Sequence, residues 1–220
     1  MSEKPLPFTE DMVRAGLAGL KTKTRRVAKL NASGRVQFKG RQWHVDDPNA
    51  VLACPYGQPG NFLWVRERMR VIRVRTVESG MQIRVRYEAD GTKSGWIPYP
   101  ERLKGQPDPG KCLSYGGYRE ASRLTLKLTE VRLERLQDIS DSDALNEGVS
   151  IFDAETVCPG YARDAETAKS LGVKPPLGPS PVEKMRWLWD SINAKRGYGW
   201  DVNPLVWVLG FERHEERGGA

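Results

Sequence analysis

The chain holds only two histidines and three cysteines, and this scarcity removes several kinds of chemistry at once. Cys54, Cys112 and Cys158 are far apart, odd in number and without any C-x-x-C spacing. A disulfide framework and a zinc knuckle are therefore not expected, and the thiols read as free cysteines of a reducing cytoplasm. His44 and His214 cannot build a multi-histidine metal site, so no metal and no cofactor is expected. Cys–His catalysis would rest on His44, around which no supporting motif stands. Long apolar runs are also missing. None approaches the roughly 18 residues of a membrane span, and a membrane partner is set aside. Residues 1–8 have no apolar core of signal-peptide length, so export by that route is not expected.

What is present fits one folded domain. The 220 residues are 39% hydrophobic and 29% charged and include seven tryptophans, enough to bury a core without a covalent staple. Lysine and arginine outnumber aspartate and glutamate by 35 to 28, for a net charge of +7. This balance points to an anionic partner, nucleic acid first and an acidic small molecule second.

The chain opens as a short strand and a helix that Thr9 can cap, with Met12, Val13, Leu17 and Leu20 at helical spacing. Gly19 marks its end, and Lys21 to Val27 reads as a basic turn. Residues 31–60 read as a long loop with one hairpin around Val36 to Val45. Strands are expected at Phe62–Val65, Met69–Val77, Met81–Tyr87, Ser122–Leu133 and Leu205–Phe211, with Ser79-Gly80 as a turn. Ser140 and Ser180 head two further helices, the second with Pro181 at its first position and Glu183 at its third. Residues 89–121 and 153–180 read as long loops. The expected class is α+β, a mostly antiparallel sheet or barrel with about three helices in a single domain over residues 1–212, followed by a flexible tail at 213–220.

The turn after the first helix reads Gly19-Leu20-Lys21-Thr22-Lys23-Thr24-Arg25-Arg26. It sets a lysine amine three residues from a threonine hydroxyl, beside two guanidinium forks suited to phosphate or carboxylate. The plain reading of the same stretch is a solvated basic turn. Its pattern, Gly19-x-Lys21-x-x-Thr24-x-Arg26, resembles the signature of the ASCH family, PUA-like β-barrels linked to RNA and nucleoside chemistry. Further stretches resemble ASCH-type proteins of phages and prophages: Met12 to Ala15, Phe62-Leu63-Trp64-Val65-Arg66-Glu67, Ser122-Arg123, Leu136 to Val149, Leu188 to Asn193 and Asn203 to Trp207. The resemblance covers nearly the whole chain outside the three long loops and the tail.

Some small ASCH proteins remove the acetyl group of N4-acetylcytidine with a lysine base, a threonine nucleophile and a glutamate acid. The resemblance carries these roles onto Lys21, Thr24 and Glu147. The chemistry is self-consistent, because a threonine hydroxyl needs a neighbouring base and Lys21 could serve only as the neutral amine. This chain is about twice the length of a minimal ASCH domain, so its added loops could reshape the pocket. Ligand-binding candidates are Arg25, Arg26, Trp64, Glu67, Ser122 and Arg123. For Trp64 a core position is the plain alternative to base stacking. For Glu67 it is an ion pair with Arg66 or Arg68, and for Arg123 a structural salt bridge. Trp187, Trp189, Trp200 and Trp207 read as core, and Tyr115 to Tyr118 as a mobile segment. Arg66, Arg68, Arg70, Arg73, Arg75, Arg84 and Arg86 alternate along strands, with a register change before Arg73, and suit either phosphates or a solvated sheet face.

Two functions from different classes follow. One is an amidohydrolase acting on an acylated cytidine-like amide. The other is a non-catalytic module binding RNA or a nucleoside, with DNA as a further candidate. A ribonuclease and a structural phage component stand behind them. The expected location is the cytoplasm of a bacterial cell carrying a phage or prophage.

Overall fold

The computed structural model describes residues 3–103, 107–113, 118–151, 159–173 and 178–214. It is α+β with mostly antiparallel pairing. The chain divides into two compact units, each assembled from separated segments. Unit 1 comprises Met1–Ala18, Asn61–Lys127 and Arg213–Ala220; unit 2 comprises Gly19–Gly60 and Leu128–Glu212.

Unit 1 begins with β1 (Lys4–Pro7) and α1 (Glu10–Leu17). Thr9 caps α1 by accepting a hydrogen bond from the Met12 amide, and Glu10 and Asp11 complement the positive end of the helix dipole. β1 runs parallel to β5 (Phe62–Arg66), and β5 pairs antiparallel with the first residues of β10 (Thr125–Arg135). The Leu124, Leu126, Leu128 alternation points inward as its period of two requires, and all three are buried. A second sheet is built on the hairpin of β6 (Met69–Val77) and β7 (Gly80–Tyr87), with β8 (Ile97–Pro98) and β9 (Cys112–Leu113) at its edges in the order β8-β7-β6-β9. Met69, Val71, Ile83, Val85 and Tyr87 fill its core with Ile97, Tyr118 and Ala121. The register of the hairpin shifts between Val71 and Arg73, which is the change of phase expected before Arg73.

Unit 2 contains the rest of β10 and, next to it, all but the last two residues of β11 (Leu205–His214), which pairs antiparallel with β2 (Lys23–Val27). The basic stretch after α1 is thus a strand and not a turn. Val27 is the sole apolar residue of its five, which hid the pairing, and β11 supplies nearly all the apolar surface: Leu205 to Phe211 are buried without a break. That strand is also longer than expected, so residues 212–214 are paired strand and not frayed tail, while 215–220 lie outside the described residues. The expected hairpin is present as β3 (Val36–Phe38) and β4 (Arg41–Trp43).

Four α-helices, not three, occur among the described residues. α2 (Asp141–Asn146) is capped by Ser140, whose hydroxyl accepts from the Asp143 amide, and ends at Gly148 with φ +83°. α3 (Pro159–Ser170) lies inside the stretch read as loop. Alanines at 162, 165 and 168 carry its helix propensity, and Pro159 occupies the first position, where no amide is needed. The apolar stripe was too weak to register. α4 (Pro181–Asn193) has a complete capping box between Ser180 and Glu183. It buries Met185, Leu188 and Trp189, whereas Trp187, off that stripe, is 46% exposed and not core. Cys54 and Cys112 are free thiols. Cys158 and Tyr115 to Gly117 lie outside the described residues.

One glycine here has a steric role. A Cβ on Gly210 would come within 2.9 Å of Glu130 Cβ on the neighbouring strand. Glu130 Cβ is the root of its side chain and cannot swing away. Gly210→Ala should therefore cost about 1–3 kcal/mol of stability, read from urea unfolding; an unchanged midpoint would mean that the strands separate at no cost.

Candidate functional site

Within unit 2, two local geometries bring opposite charges face to face. In β2, Lys23 and Arg25 project to one side, and Thr24 and Arg26 to the other. In α2, Asp143 and the capping residue Glu147 are one helical turn apart, so both carboxylates share a face. An isolated antiparallel bridge joins Lys21 to Glu147, and the Thr22 amide donates to Asn146 O at 2.8 Å. This backbone tie holds the acidic helix end against the basic strand.

The side chains then interlock. Lys21 Nζ donates to Glu147 Oε2 at 2.8 Å and to the Glu147 carbonyl at 2.9 Å. Arg25 reaches Glu147 Oε1 at 3.3 Å, Glu134 Oε1 at 2.7 Å and Asp143 Oδ2 at 2.8 Å. Lys23 Nζ donates to Asp143 Oδ1 at 2.7 Å, and Arg132 to Asp143 Oδ2 at 2.9 Å. The Lys21 and Arg25 side chains are 0% exposed and that of Glu147 1%. A carboxylate at the negative end of a helix is disfavoured by the dipole; here two cations offset that cost.

Burial is the main influence on Lys21 and lowers its pKa below the ordinary 10.5, with Arg26 and Arg25 adding and Glu147 opposing. For Asp143 burial works in the opposite sense, yet hydrogen bonds from Lys23, Arg25 and Arg132 outweigh it and hold the carboxyl well below its usual range. Thr24 is fully buried, and its hydroxyl oxygen accepts a hydrogen bond from Arg26 Nη1 at 2.9 Å. Arg26 interacts electrostatically with Glu147 and with Tyr56, whose hydroxyl also senses Cys54 and Arg196. The site thus has two parts: a buried carboxylate between an amine and a guanidinium on the Arg25 side of β2, and on the other side a guanidinium bonded to the Thr24 hydroxyl.

The other predicted residues lie in unit 1. Arg123 grips Glu67 with both arms of its fork, Nε to Oε1 at 2.8 Å and Nη2 to Oε2 at 2.9 Å. Its remaining nitrogen donates to Asp90 Oδ2 and Thr92 Oγ1, each at 2.7 Å, and the guanidinium lies 4.1 Å from the centre of the Tyr87 ring. Glu67 therefore pairs with Arg123 rather than with Arg66 or Arg68. Arg68 meets Glu10 instead. Arg123 is the structural clamp of this cluster. Ser122 Oγ donates to the carbonyls of Val65 and Leu124, and Trp64 is half-buried beside Thr125.

Sequence reasoning missed Lys23, Arg132, Glu134, Asp143 and Tyr56. The spacing of Asp143 to Glu147 was the available signal for the acidic face. Tyr56 stood in a stretch with no periodicity and had none.

No group of histidine, cysteine and acidic side chains suited to a metal ion occurs among the described residues. No helix among them is long and apolar enough to cross a membrane. No family model, no curated protein and no solved structure matches the chain.

Proposed function

We propose that this is an ASCH-type, PUA-like protein whose unit 2 recognises a nucleobase, as part of a modified nucleoside or RNA, at Lys21, Thr24, Arg26 and Glu147. The observation that carries the reading is the buried contact between Lys21 and Glu147 beside Arg25 and Arg26. A buried amine, carboxylate and guanidinium in one place offer both donors and an acceptor, which is what the edge of a cytosine-like base requires.

A second reading rests on the lowered pKa of Lys21. It requires Lys21, as the neutral amine, to take the proton of Thr24, which lies on the other side of β2 from Arg25, and Thr24 Oγ1 then to attack the acyl carbon of an N4-acylcytidine. Glu147 passes a proton to the departing exocyclic N4 amine of cytidine, and water then releases the acid from the threonine ester. Because the Lys21 amine is free while Glu147 holds a proton, the pair works with one proton between them, and activity should fall as pH rises through the Lys21 pKa, which burial holds below the ordinary 10.5.

Both readings are tested by incubating the protein with N4-acetylcytidine and with cytidine, following acetate release and calorimetric binding. Acetate release abolished in K21A, T24A and E147Q, with folding retained by circular dichroism, supports hydrolysis. Binding of either nucleoside without turnover, lost in K21A, supports recognition alone. Neither binding nor turnover overturns the proposal.

A further inference from the structure

The hairpin β6–β7 of unit 1 carries five arginines against two carboxylates over residues 69–88. The pairing register sets them on one face. Arg70 lies directly opposite Arg86, and Arg73 opposite Arg84, while Arg75 faces Gln82. The alternate residues Met69, Val71, Ile83, Val85 and Tyr87 are buried beneath. Without the register shift after Val71, Arg73 and Arg75 would point into that core. The irregularity is what adds them to the outer row.

Like charges directly across an antiparallel pair are destabilising, and this hairpin holds two such pairs. Compensation within the unit is slight. Glu88 alone serves Arg70 and Arg86, at 3.2 Å and 3.3 Å. Arg75 hydrogen-bonds Gln82, which is neutral, and Arg84 reaches the Ser94 carbonyl. Arg73 is exposed and has no ion-pair partner among the described residues. Lys93, in a backbone bridge with Arg86, adds another exposed cation. At the far end Arg75 stacks over the half-buried Trp96, 4.2 Å from its ring centre.

We infer that this arginine ladder is a binding surface for the backbone of single-stranded nucleic acid. Alternate residues along a strand stand about 6.7 Å apart, a step that an extended phosphodiester can follow. Guanidinium forks pair with phosphate in two-point fashion. The Arg75–Trp96 stack offers a planar end on which an unpaired base can lie, and a duplex presents no such base face. Repulsion between the facing arginines is relieved when phosphates intercalate between them. The inference concerns unit 1 alone and does not rest on the nucleobase site proposed for unit 2.

The test is fluorescence polarisation with labelled RNA and DNA single strands of about 15 nucleotides, titrated at about 50 mM and about 200 mM salt. Three to four phosphate contacts should make affinity fall about 20-fold or more between the two salt concentrations. The variant R73E/R75Q lowers the charge of the ladder by three and sets a carboxylate opposite Arg84, an attractive pair, so its melting temperature should stay level or rise. It should lose at least about 10-fold in affinity. The control R35Q/R41E removes the same charge from exposed positions of unit 2 and should bind like the parent chain. Binding of RNA or DNA alone supports the inference and identifies the sugar that is read. Equal losses in both variants, equal binding of a duplex or of polyglutamate, or no binding at the lower salt would overturn it. Because K21A should retain this binding, failure of the nucleoside assay and failure of the ladder remain distinguishable.

Discussion

Glu147→Ala is expected to destabilise the protein by about 3–5 kcal/mol, the usual consequence of leaving a buried charge without its partner. The Lys21 amine loses the 2.8 Å contact to the carboxylate, and Arg25 loses one of its three acids. Neither cation can reach water from a side chain that is 0% exposed. Truncation of a solvated ion pair would change stability by less than about 1 kcal/mol, so the size of the loss measures how dry the site is. The double variant K21M/E147L should recover most of it, because apolar groups of similar volume remove both desolvation costs together. Arg25 remains paired with Glu134 and Asp143 in that variant. Urea unfolding of the three proteins decides the matter: a small loss in E147A, or no recovery in the double variant, would show that the pair is not an isolated buried couple.

Arg123→Ala should be comparably severe, by about 3–5 kcal/mol near neutral pH, since it strands the buried Glu67 carboxylate. Its pH dependence sets it apart from a simple packing loss. Burial already raises the Glu67 pKa above its ordinary 4.5 against the opposing pull of Arg123. Removing the guanidinium raises it further. A carboxyl with a raised folded pKa costs nothing while protonated in both states, and stability is lost as pH climbs through the folded value. The penalty of the variant should therefore be greatest at neutral pH and shrink toward pH 4.5. Asp90 acts in the opposite direction. Burial raises it, but hydrogen bonds from Arg123 and Thr92 bring it down to about 2 from 3.8. Its stabilisation is complete above the unfolded value and is lost as pH falls toward 2, so the acid limb of the stability curve should be flatter in Arg123→Ala. A penalty independent of pH would refute the buried-carboxylate account.

The helix caps were legible because they are local. Thr9, Ser140 and Ser180 each satisfy an amide within three residues, and no distant partner is needed. The β6–β7 hairpin was legible for the same reason, down to the change of phase before Arg73. β2 was not, since a short basic segment becomes a strand only when β11 supplies the hydrogen bonds and the apolar face. α3 was not, because a helix rich in alanine and charged residues gives little hydrophobic periodicity in the sequence.

Of the candidate residues, Lys21 and Glu147 were tied together from sequence only through a family likeness; 126 positions separate them. Their contact depends on the bridge between the start of β2 and the end of α2, and on Asp143 and Glu147 sharing one helix face. Glu67 and Arg123 were each marked as separate candidates, and tertiary structure joined them into a single clamp.

Composition and local pattern by themselves determined the cationic excess, the scarcity of histidine and cysteine, the caps and the arginine alternation. Those properties depend on residue counts and on neighbours within a turn or a strand. Tertiary structure alone decided which charges are neutralised and which stay open to a partner. Coulomb energies depend on distance and burial, and both are set by segments remote in sequence. Lys21 and Arg25 are buried against acids, Arg123 is locked on Glu67, and the ladder arginines are left facing outward with one shared carboxylate.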